Sequence, residues 1–325
     1  MCRHGDPRAA TRWRTLLAGC ALLVVSALCV TIPFGMQHAN RNRLADTGTR
    51  HATAAAVMDR DTRDRELDEA RSYNQRLAAA GQTVLGDNPD PFSGTDDPAY
   101  DTDYLHALDM PEDGIMATIR YPSLGISLPV RHGTGTDTLS RGAGHLYGTS
   151  LPVGGTDTHT VISAHTGLAD TLMFDKLHSL GGRARVGDVF YLTVLDRTLA
   201  YKVTGIQVVD PDDFDALTIQ PGKDMATLLT CTPYGVNNKR LLVTGERAAM
   251  PAQAPLPAQA PEDRTWLWVW APIAALWVGV LTIIAVSLAR HGRRRPPHLH
   301  QRRPRHEPAP DTLEFRIIQP ETSLP

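Results

Sequence analysis

The sequence predicts a mostly β domain, either a closed barrel or a sandwich, between two apolar segments that are each long enough to cross a membrane. The hydrophobic fraction of 42% in 325 residues is ample for a sizeable core. Short runs of β-branched and aromatic residues alternate with Gly, Pro, Asp and Asn, which are typical of turns. These runs are residues 115–121, 126–131, 160–164, 189–194, 200–209, 225–230 and 241–244.

The first apolar segment, residues 16–34, reads LLAGCALLVVSALCVTIPF and follows several arginines. A cleaved signal peptide is the alternative interpretation. The run is longer than a usual signal core and its small-residue cleavage pattern is poor, which favours an uncleaved anchor over residues 16–36. The second segment, residues 266–288, has tryptophans at one end and arginines just beyond the other. Its uninterrupted length favours a membrane span over residues 266–289 rather than a buried core helix.

Arginines flank both segments on the sides that face away from the central region. The positive-inside rule therefore predicts a cell-membrane protein with an extracellular central region and with residues 1–15 and 290–325 in the cytoplasm. The tail from residue 290 is rich in Arg, His and Pro and is expected to be disordered. A net charge of −2 gives no reason to expect nucleic acid as a partner.

Two connecting segments flank the predicted β domain, residues 96–247. Residues 50–85 are charged and alanine-rich with helical spacing, which predicts a helix within a stalk over residues 37–86, between the membrane and the domain. Residues 248–260 read AAMPAQAPLPAQA, which indicates a Pro/Ala linker, residues 248–265, that leads back to the membrane.

Cys231 is the only cysteine of the external region. Cys20 and Cys29 lie in the first apolar segment and Cys2 precedes it, so Cys231 has no disulfide partner there. An unpaired cysteine in an oxidising environment is either buried and inert or kept for its reactivity. Two interpretations follow: a small hydrophobic residue at the end of a strand, or a nucleophile.

A cysteine nucleophile needs a base, because only the thiolate attacks. His165, in VISAHTGL, follows a predicted strand and enters a Gly-containing loop, where catalytic groups are often found. The other histidines of the external region are expected at surface or structural positions: His106, His132, His145, His159 and His178. No pair of them shows tight helical ligand spacing, so neither a metal nor a cofactor is expected.

The segments ISAHTGL, TLLTCTPYGVNNKRLLVTG, AGHLYGTSLPVGG and DNPDPF together resemble the sortase family, in particular the class C, pilus-assembling sortases of Gram-positive bacteria. The resemblance covers about residues 87–247 and implies an eight-stranded β-barrel cysteine transpeptidase. It implies that Cys231 is the nucleophile, that His165 is the general acid/base and that Arg240 positions substrate and stabilises the oxyanion. The implied partners are LPXTG-like sorting signals and pilin subunits that supply a lysine amine, with the cell-wall precursor as a further candidate.

The segment GDNPDPF, residues 86–92, resembles the class C lid, expected here over residues 87–95. The resemblance implies that Asp90 pairs with Arg240 and that Phe92 covers Cys231, whereas without it a proline-rich turn is the simpler interpretation. Two positions depart from the family. Lys239 stands where many relatives have histidine, and Ala164 stands where glycine is common in other classes; both bear on specificity.

Three alternative functions share parts of this pattern. A housekeeping sortase attaches surface proteins to the cell-wall precursor, and the lid and the second apolar segment favour pilin polymerisation over it. A cysteine hydrolase uses the same Cys231 and His165 but releases a free acid, so incorporation of an added amine distinguishes the two. A membrane-tethered binding module needs no nucleophile, so labelling of Cys231 would leave its activity unchanged.

Overall fold

The computed structural model describes residues 7–82, 85, 101–109, 113–168, 170–178 and 183–293. The chain forms two compact units, Met1–Val280 and Leu281–Pro325, and every contact given below lies in the first. The α-helices are α1 (Pro7–Ala56), α2 (Arg60–Ala79), α3 (Thr102–His106), α4 (Thr136–Ser140) and α5 (Trp266–Arg293).

Eight strands close into a single barrel in the order β1-β2-β3-β4-β7-β8-β6-β5. They are β1 (Ala117–Tyr121), β2 (Ile126–His132), β3 (Ala143–His145), β4 (Thr158–Ser163), β5 (Val189–Val194), β6 (Arg197–Val209), β7 (Asp224–Thr232) and β8 (Lys239–Ala248). The β2–β3 and β4–β7 pairs are parallel and the other pairs are antiparallel. The barrel confirms the predicted fold class and decides between barrel and sandwich.

Each predicted run coincides with a strand, and one strand, β3, had no predicted counterpart. Its three residues, AGH, include a glycine and no β-branched side chain, so it carries none of the usual strand signals. A Cβ on Gly144 would clash with the backbone carbonyl oxygen of Gly133. Glycine is therefore required here by the close approach of two backbone segments, which propensity alone does not predict.

The barrel interior is filled by aliphatic residues and a cluster of aromatic rings. The rings of Phe190 and Tyr201 stack with centroids 5.7 Å apart, and Tyr121 packs against Phe190 at 6.0 Å. Every residue of β4 and nearly every residue of β7 is buried, as expected for neighbouring parallel strands that are covered on both faces.

Helices α1 and α2 pack on the barrel, and their role as a stalk over residues 37–86 stays a prediction. The chain breaks between them at residues 57–59, where Asp59 caps α2 by accepting a hydrogen bond from the backbone N–H of Thr62. His51 of α1 is 2% exposed and lies 3.0 Å from the carboxylate of Asp113. In α2, the buried side chain of Asn74 bonds both the N–H and the carbonyl of Leu151, in the connection between β3 and β4.

The segment after β8 also packs on the barrel. The hydroxyl of Tyr191 donates to the carbonyl of Pro255 at 2.8 Å. Lys176 forms an almost fully buried ion pair with Asp263 and donates to the hydroxyl of Thr265 at 2.9 Å. Since α5 begins at Trp266, the barrel is held directly at the start of this helix.

Two described helices are long and apolar enough to cross a membrane, Thr11–Ala56 and Trp266–Arg290. They touch each other within the first unit of the chain. The indole N–H of Trp277 donates to the hydroxyl of Thr31 at 2.9 Å, and the rings of His38 and Trp270 meet edge to face at 5.8 Å. This arrangement is compatible with membrane anchoring.

Candidate active site

Cys231 and Arg240 lie on neighbouring strands at one end of the barrel. The antiparallel register of β7 and β8 places the two residues directly opposite each other, one position from the end of β7 and from the start of β8. Residues in such a pair project from the same face with Cβ atoms about 5 Å apart. Both are buried, with exposed fractions of 8% for Cys231 and 4% for Arg240.

His165 is brought to the same end of the barrel by β4. This strand runs parallel to β7 with Ser163 opposite Leu229, so the same register continued by two positions sets His165 beside Cys231. Two hydrogen bonds continue the pairing past the strand end. The N–H of Ala164 donates to the carbonyl of Leu229 at 3.2 Å, and the hydroxyl of Thr230 donates to the carbonyl of Ala164 at 2.7 Å.

The guanidinium of Arg240 is held by the turn between β7 and β8. Its Nη1 donates to the carbonyls of Asn237 and Lys239, each at 3.1 Å. Asn237 has a φ of 59°, a left-handed conformation that asparagine tolerates better than most residues. Lys239, the position that departs from the family, pairs with Asp210 at the exposed surface.

Asp175 was missed by the sequence reasoning and is fully buried beside the loop that follows His165. Its carboxylate accepts from the N–H of Gly167 at 2.8 Å and from the N–H of Met173 at 2.9 Å. The hydroxyl of Thr166 donates to it at 3.4 Å. The only available signal was an aspartate beside a lysine within the run MFDKL, which is weak without knowledge of the fold.

Burial lowers the pKa of His165 below its ordinary value, and the negative charge of Asp175 acts in the opposite direction. The imidazole is therefore neutral at physiological pH. A neutral imidazole can accept the proton of a thiol, and the resulting imidazolium, because of its lowered pKa, gives that proton up more readily.

The remaining buried histidines have structural roles. Burial lowers the pKa of His145 to about 4, and its Nε2–H donates to the carbonyl of Ser150 at 2.9 Å. Burial also lowers the pKa of His159, which donates from Nδ1 to the carbonyl of Thr218. Among the described residues, no group of three or more His, Cys, Asp or Glu side chains is arranged to hold a metal ion.

A cavity of about 1280 Å³ lies at the opposite end of the barrel from Cys231. It is lined by residues that include Asn74 of α2, Asp224 at the start of β7 and Arg247 of β8. Cavity size is thus a poor guide to the chemistry of this domain, because the thiol and the cavity lie at opposite ends of the same strand.

The predicted lid, with Asp90 and Phe92, lies outside the described residues. The described residues on either side of it are attached to the barrel. The side chain of Gln82 donates to the carbonyl of Gly148 at 3.1 Å, and the hydroxyls of Tyr73 and Tyr147 donate to Asp101 at 3.0 and 3.1 Å.

Comparison with protein families gives a match that coincides with the barrel. A family model described as the Sortase domain matches residues 119–248. Sortase A of Streptococcus agalactiae serotype III (strain NEM316) is 31% identical over 121 residues, a match that covers 36% of this chain and 47% of that relative. The chain thus spans about half the length of this curated relative.

Solved structures match over almost their whole length. Sortase C-1 from Actinomyces oris is 48% identical with a TM-score of 0.51, and the match covers 57% of this chain and 99% of that one. Sortase C of Streptococcus pneumoniae is 37% identical with a TM-score of 0.55, covering 65% of this chain and 100% of that one.

Proposed function

The chain belongs to the sortase family, and on that basis we propose that it is a class C sortase, a cysteine transpeptidase that joins pilin subunits. The observation that carries the proposal is the register of three neighbouring strands, in which Cys231 lies opposite Arg240 and beside the position of His165. The expected family identity is confirmed by the Sortase domain match and by the sortase C structures.

In the first half of the reaction, the thiolate of Cys231 attacks the carbonyl carbon of the scissile peptide bond in a sorting signal. His165, having accepted the thiol proton, returns it to the departing amine as the carbon–nitrogen bond breaks. Arg240 offsets the negative charge that develops on the carbonyl oxygen. The product is a thioester between Cys231 and the acyl fragment.

In the second half, a primary amine attacks the thioester carbonyl, His165 accepts the proton of the amine, and the Cys231 sulfur departs as the thiolate. The new bond is an isopeptide bond if the amine is a lysine side chain. Attack by water instead would give a free acid, so the function depends on excluding water from the thioester.

The substrate class is an LPXTG-like signal as donor and a lysine-bearing pilin as acceptor. Support comes from the resemblance of this chain to class C enzymes and from the reported Streptococcus pneumoniae Sortase C structure, whose description refers to pilin substrate specificity. The housekeeping alternative, transfer to a cell-wall precursor, shares the first half of the reaction and differs only in the acceptor amine.

Residues 86–92 act as a lid in this proposal, with Asp90 paired to Arg240 and Phe92 over Cys231. Its support is the resemblance of GDNPDPF to the class C lid. A lid at this place would keep water from the thiol until substrate displaces it.

The two apolar helices anchor the chain in the cell membrane, with the barrel outside and both termini in the cytoplasm. Support comes from the arginines beside each apolar segment and from the exposed apolar side chains on both helices, such as Leu22 and Trp268.

The test is a transpeptidation assay with the full chain in detergent. The protein is incubated with an LPXTG-like peptide, with and without a pilin subunit, and mass spectrometry follows the masses of enzyme and product. A thioester on Cys231 and an isopeptide-linked pilin support the proposal. Free acid alone indicates a hydrolase, and transfer only to a cell-wall precursor amine indicates the housekeeping function.

A further inference from the structure

We propose that Asp175 is a positioning residue for His165, fixing the loop and the charge environment that hold the imidazole beside Cys231. The inference rests on the proposed function, because it assigns His165 the acid/base role. Asp175 is not placed in contact with substrate and so is not itself a catalytic residue.

The first support is the closure of the loop that carries His165. The N–H of Phe174 donates to the carbonyl of His165 at 3.1 Å, which joins the two ends of the loop. Inside this ring the carboxylate of Asp175 accepts from the N–H groups of Gly167 and Met173. The pairing with β7 continues only as far as Ala164, so these bonds help to set the path of the loop after the last strand contact.

The second support is the burial of the carboxylate. Asp175 is fully buried, and an isolated buried carboxylate is costly unless hydrogen bonds satisfy it. A neutral residue would fill the same space at lower cost if packing were the only requirement. The ionised group has one effect that a neutral residue cannot reproduce: it lies close enough to the imidazole to oppose the lowering of the His165 pKa by burial.

The third support is that the chain on either side of Asp175 is attached to α1 and to the segment that precedes α5. The side chain of Asn40 in α1 donates to the carbonyl of Asp170 at 2.8 Å. Lys176, the residue after Asp175, pairs with Asp263 just before α5. Asp175 thus lies in a stretch of chain that is attached to both segments, and its own hydrogen bonds extend these attachments to the loop that carries His165.

Other titratable groups near His165 must be kept constant in any test of charge. On the same stretch of chain these include His178, whose Nε2 lies 3.5 Å from the Thr166 hydroxyl. On the facing strands and their connecting turn, the groups are Cys231, Arg240 and Tyr234. The charge of Asp175 opposes the lowering of the pKa of His178 as well as that of His165, so the pH profiles are recorded in a His178→Gln background.

The decisive experiment measures kcat, KM and the pH dependence of kcat in the full chain for Asp175→Asn. Asparagine keeps the volume and one acceptor oxygen but removes the charge. We expect kcat to fall by about tenfold or more with KM within about twofold, because the imidazole is displaced while the substrate contacts remain. The limb of the pH profile governed by His165 should move to lower pH by about half a unit or more, since removing a nearby negative charge lowers its pKa.

Asp188→Asn is the matched control. The carboxylate of Asp188 also accepts from a backbone N–H, that of Arg185 at 3.0 Å, and from a hydroxyl, that of Tyr121 at 2.7 Å. It lies beside the start of β5, away from Cys231, so its loss should leave the pH profile unchanged. Asp175→Glu keeps the charge and should restore the pH midpoint of the parent even if kcat is only partly recovered.

Three results would overturn the proposal: an Asp175→Asn variant with kcat within about twofold of the parent, a loss of kcat with an unmoved pH limb, or an Asp175→Glu profile that matches Asp175→Asn. If Asp175→Asn does not fold, the pH profile of Asp175→Glu against the parent decides, and a shift there contradicts the charge role. Failure of the function itself is separate, because in that case the parent forms no thioester.

Discussion

Cys231 and Arg240 face each other across the β7–β8 ladder, so their separation is set by backbone pairing rather than by a flexible loop. A site built on paired strands keeps its geometry when substrate binds, which favours interactions that exist only in the transition state. His165 differs in this respect, because it lies two residues past the end of β4 and depends on its loop.

Cys231→Ala is expected to abolish both the thioester and the isopeptide product while the barrel stays folded. Alanine is a small apolar residue like cysteine, so the buried position near the strand end loses little packing. Mass spectrometry checks the chemistry, and circular dichroism with thermal unfolding checks the fold. Residual polymerisation by this variant would show that another nucleophile is responsible.

Arg240→Lys is expected to lower the rate by an amount that corresponds to about 2–4 kcal/mol of transition-state stabilisation. The planar guanidinium can donate to the turn carbonyls and to substrate at the same time, whereas an ammonium is a point charge. The control is Lys239→Arg. Lys239 forms an exposed ion pair with Asp210, which should contribute little to stability or rate, so this variant should behave like the parent. A near-normal kcat/KM for Arg240→Lys would mean that only the positive charge matters.

The double variant Asp90→Ala with Phe92→Ala tests the proposed lid. Removing the ion pair and the apolar cover should shift the lid toward open states, so a small thiol reagent should modify Cys231 faster. Transpeptidation should be equal or higher, because the lid competes with substrate. Rates rather than end points are compared. Labelling at the parent rate, or loss of catalysis in a folded protein, would assign the segment to a plain turn or a substrate-binding role.

Acid pH is expected to destabilise the barrel through His145. The pKa of His145 is about 4 when folded against 6.5 for an ordinary histidine, so its contribution is complete above pH 6.5 and is lost as the pH falls toward 4. The loss should be on the order of 3 kcal/mol by pH 4. Thermal unfolding between pH 7.5 and 4.5 measures it. His145→Gln should flatten this dependence, whereas the exposed His106→Gln should leave it unchanged.

The sequence predicted strands well wherever a run of β-branched or aromatic residues carried the signal. It missed β3, whose existence depends on the approach of Gly144 to Gly133, a long-range contact with no local pattern. The helix expected over residues 50–85 is instead the end of α1 followed by α2, because Asp59 starts a new helix. An amphipathic pattern indicates that a helix buries one face, but it does not identify the part of the protein on which that face packs.

The candidate site was predicted in part. Cys231, His165 and Arg240 were selected from their motifs, and the strand registers bring their positions to one end of the barrel; their roles remain a proposal. Asp175 was not predicted, because its proposed positioning role depends on hydrogen bonds to backbone groups across a loop. Such bonds depend on the folded path of the chain and leave no mark in residue spacing.

The ion pair between Lys176 and Asp263 attaches the barrel to the chain just before the start of α5. A domain joined to a membrane helix by a flexible linker can reorient freely, whereas a domain attached next to the first turn of the helix cannot. If α5 is embedded in a bilayer, the barrel keeps one face toward the lipid surface and travels only as α5 diffuses. The enzyme would then meet its substrate by diffusion in the plane of the bilayer, with Cys231 at a constant distance from the bilayer surface.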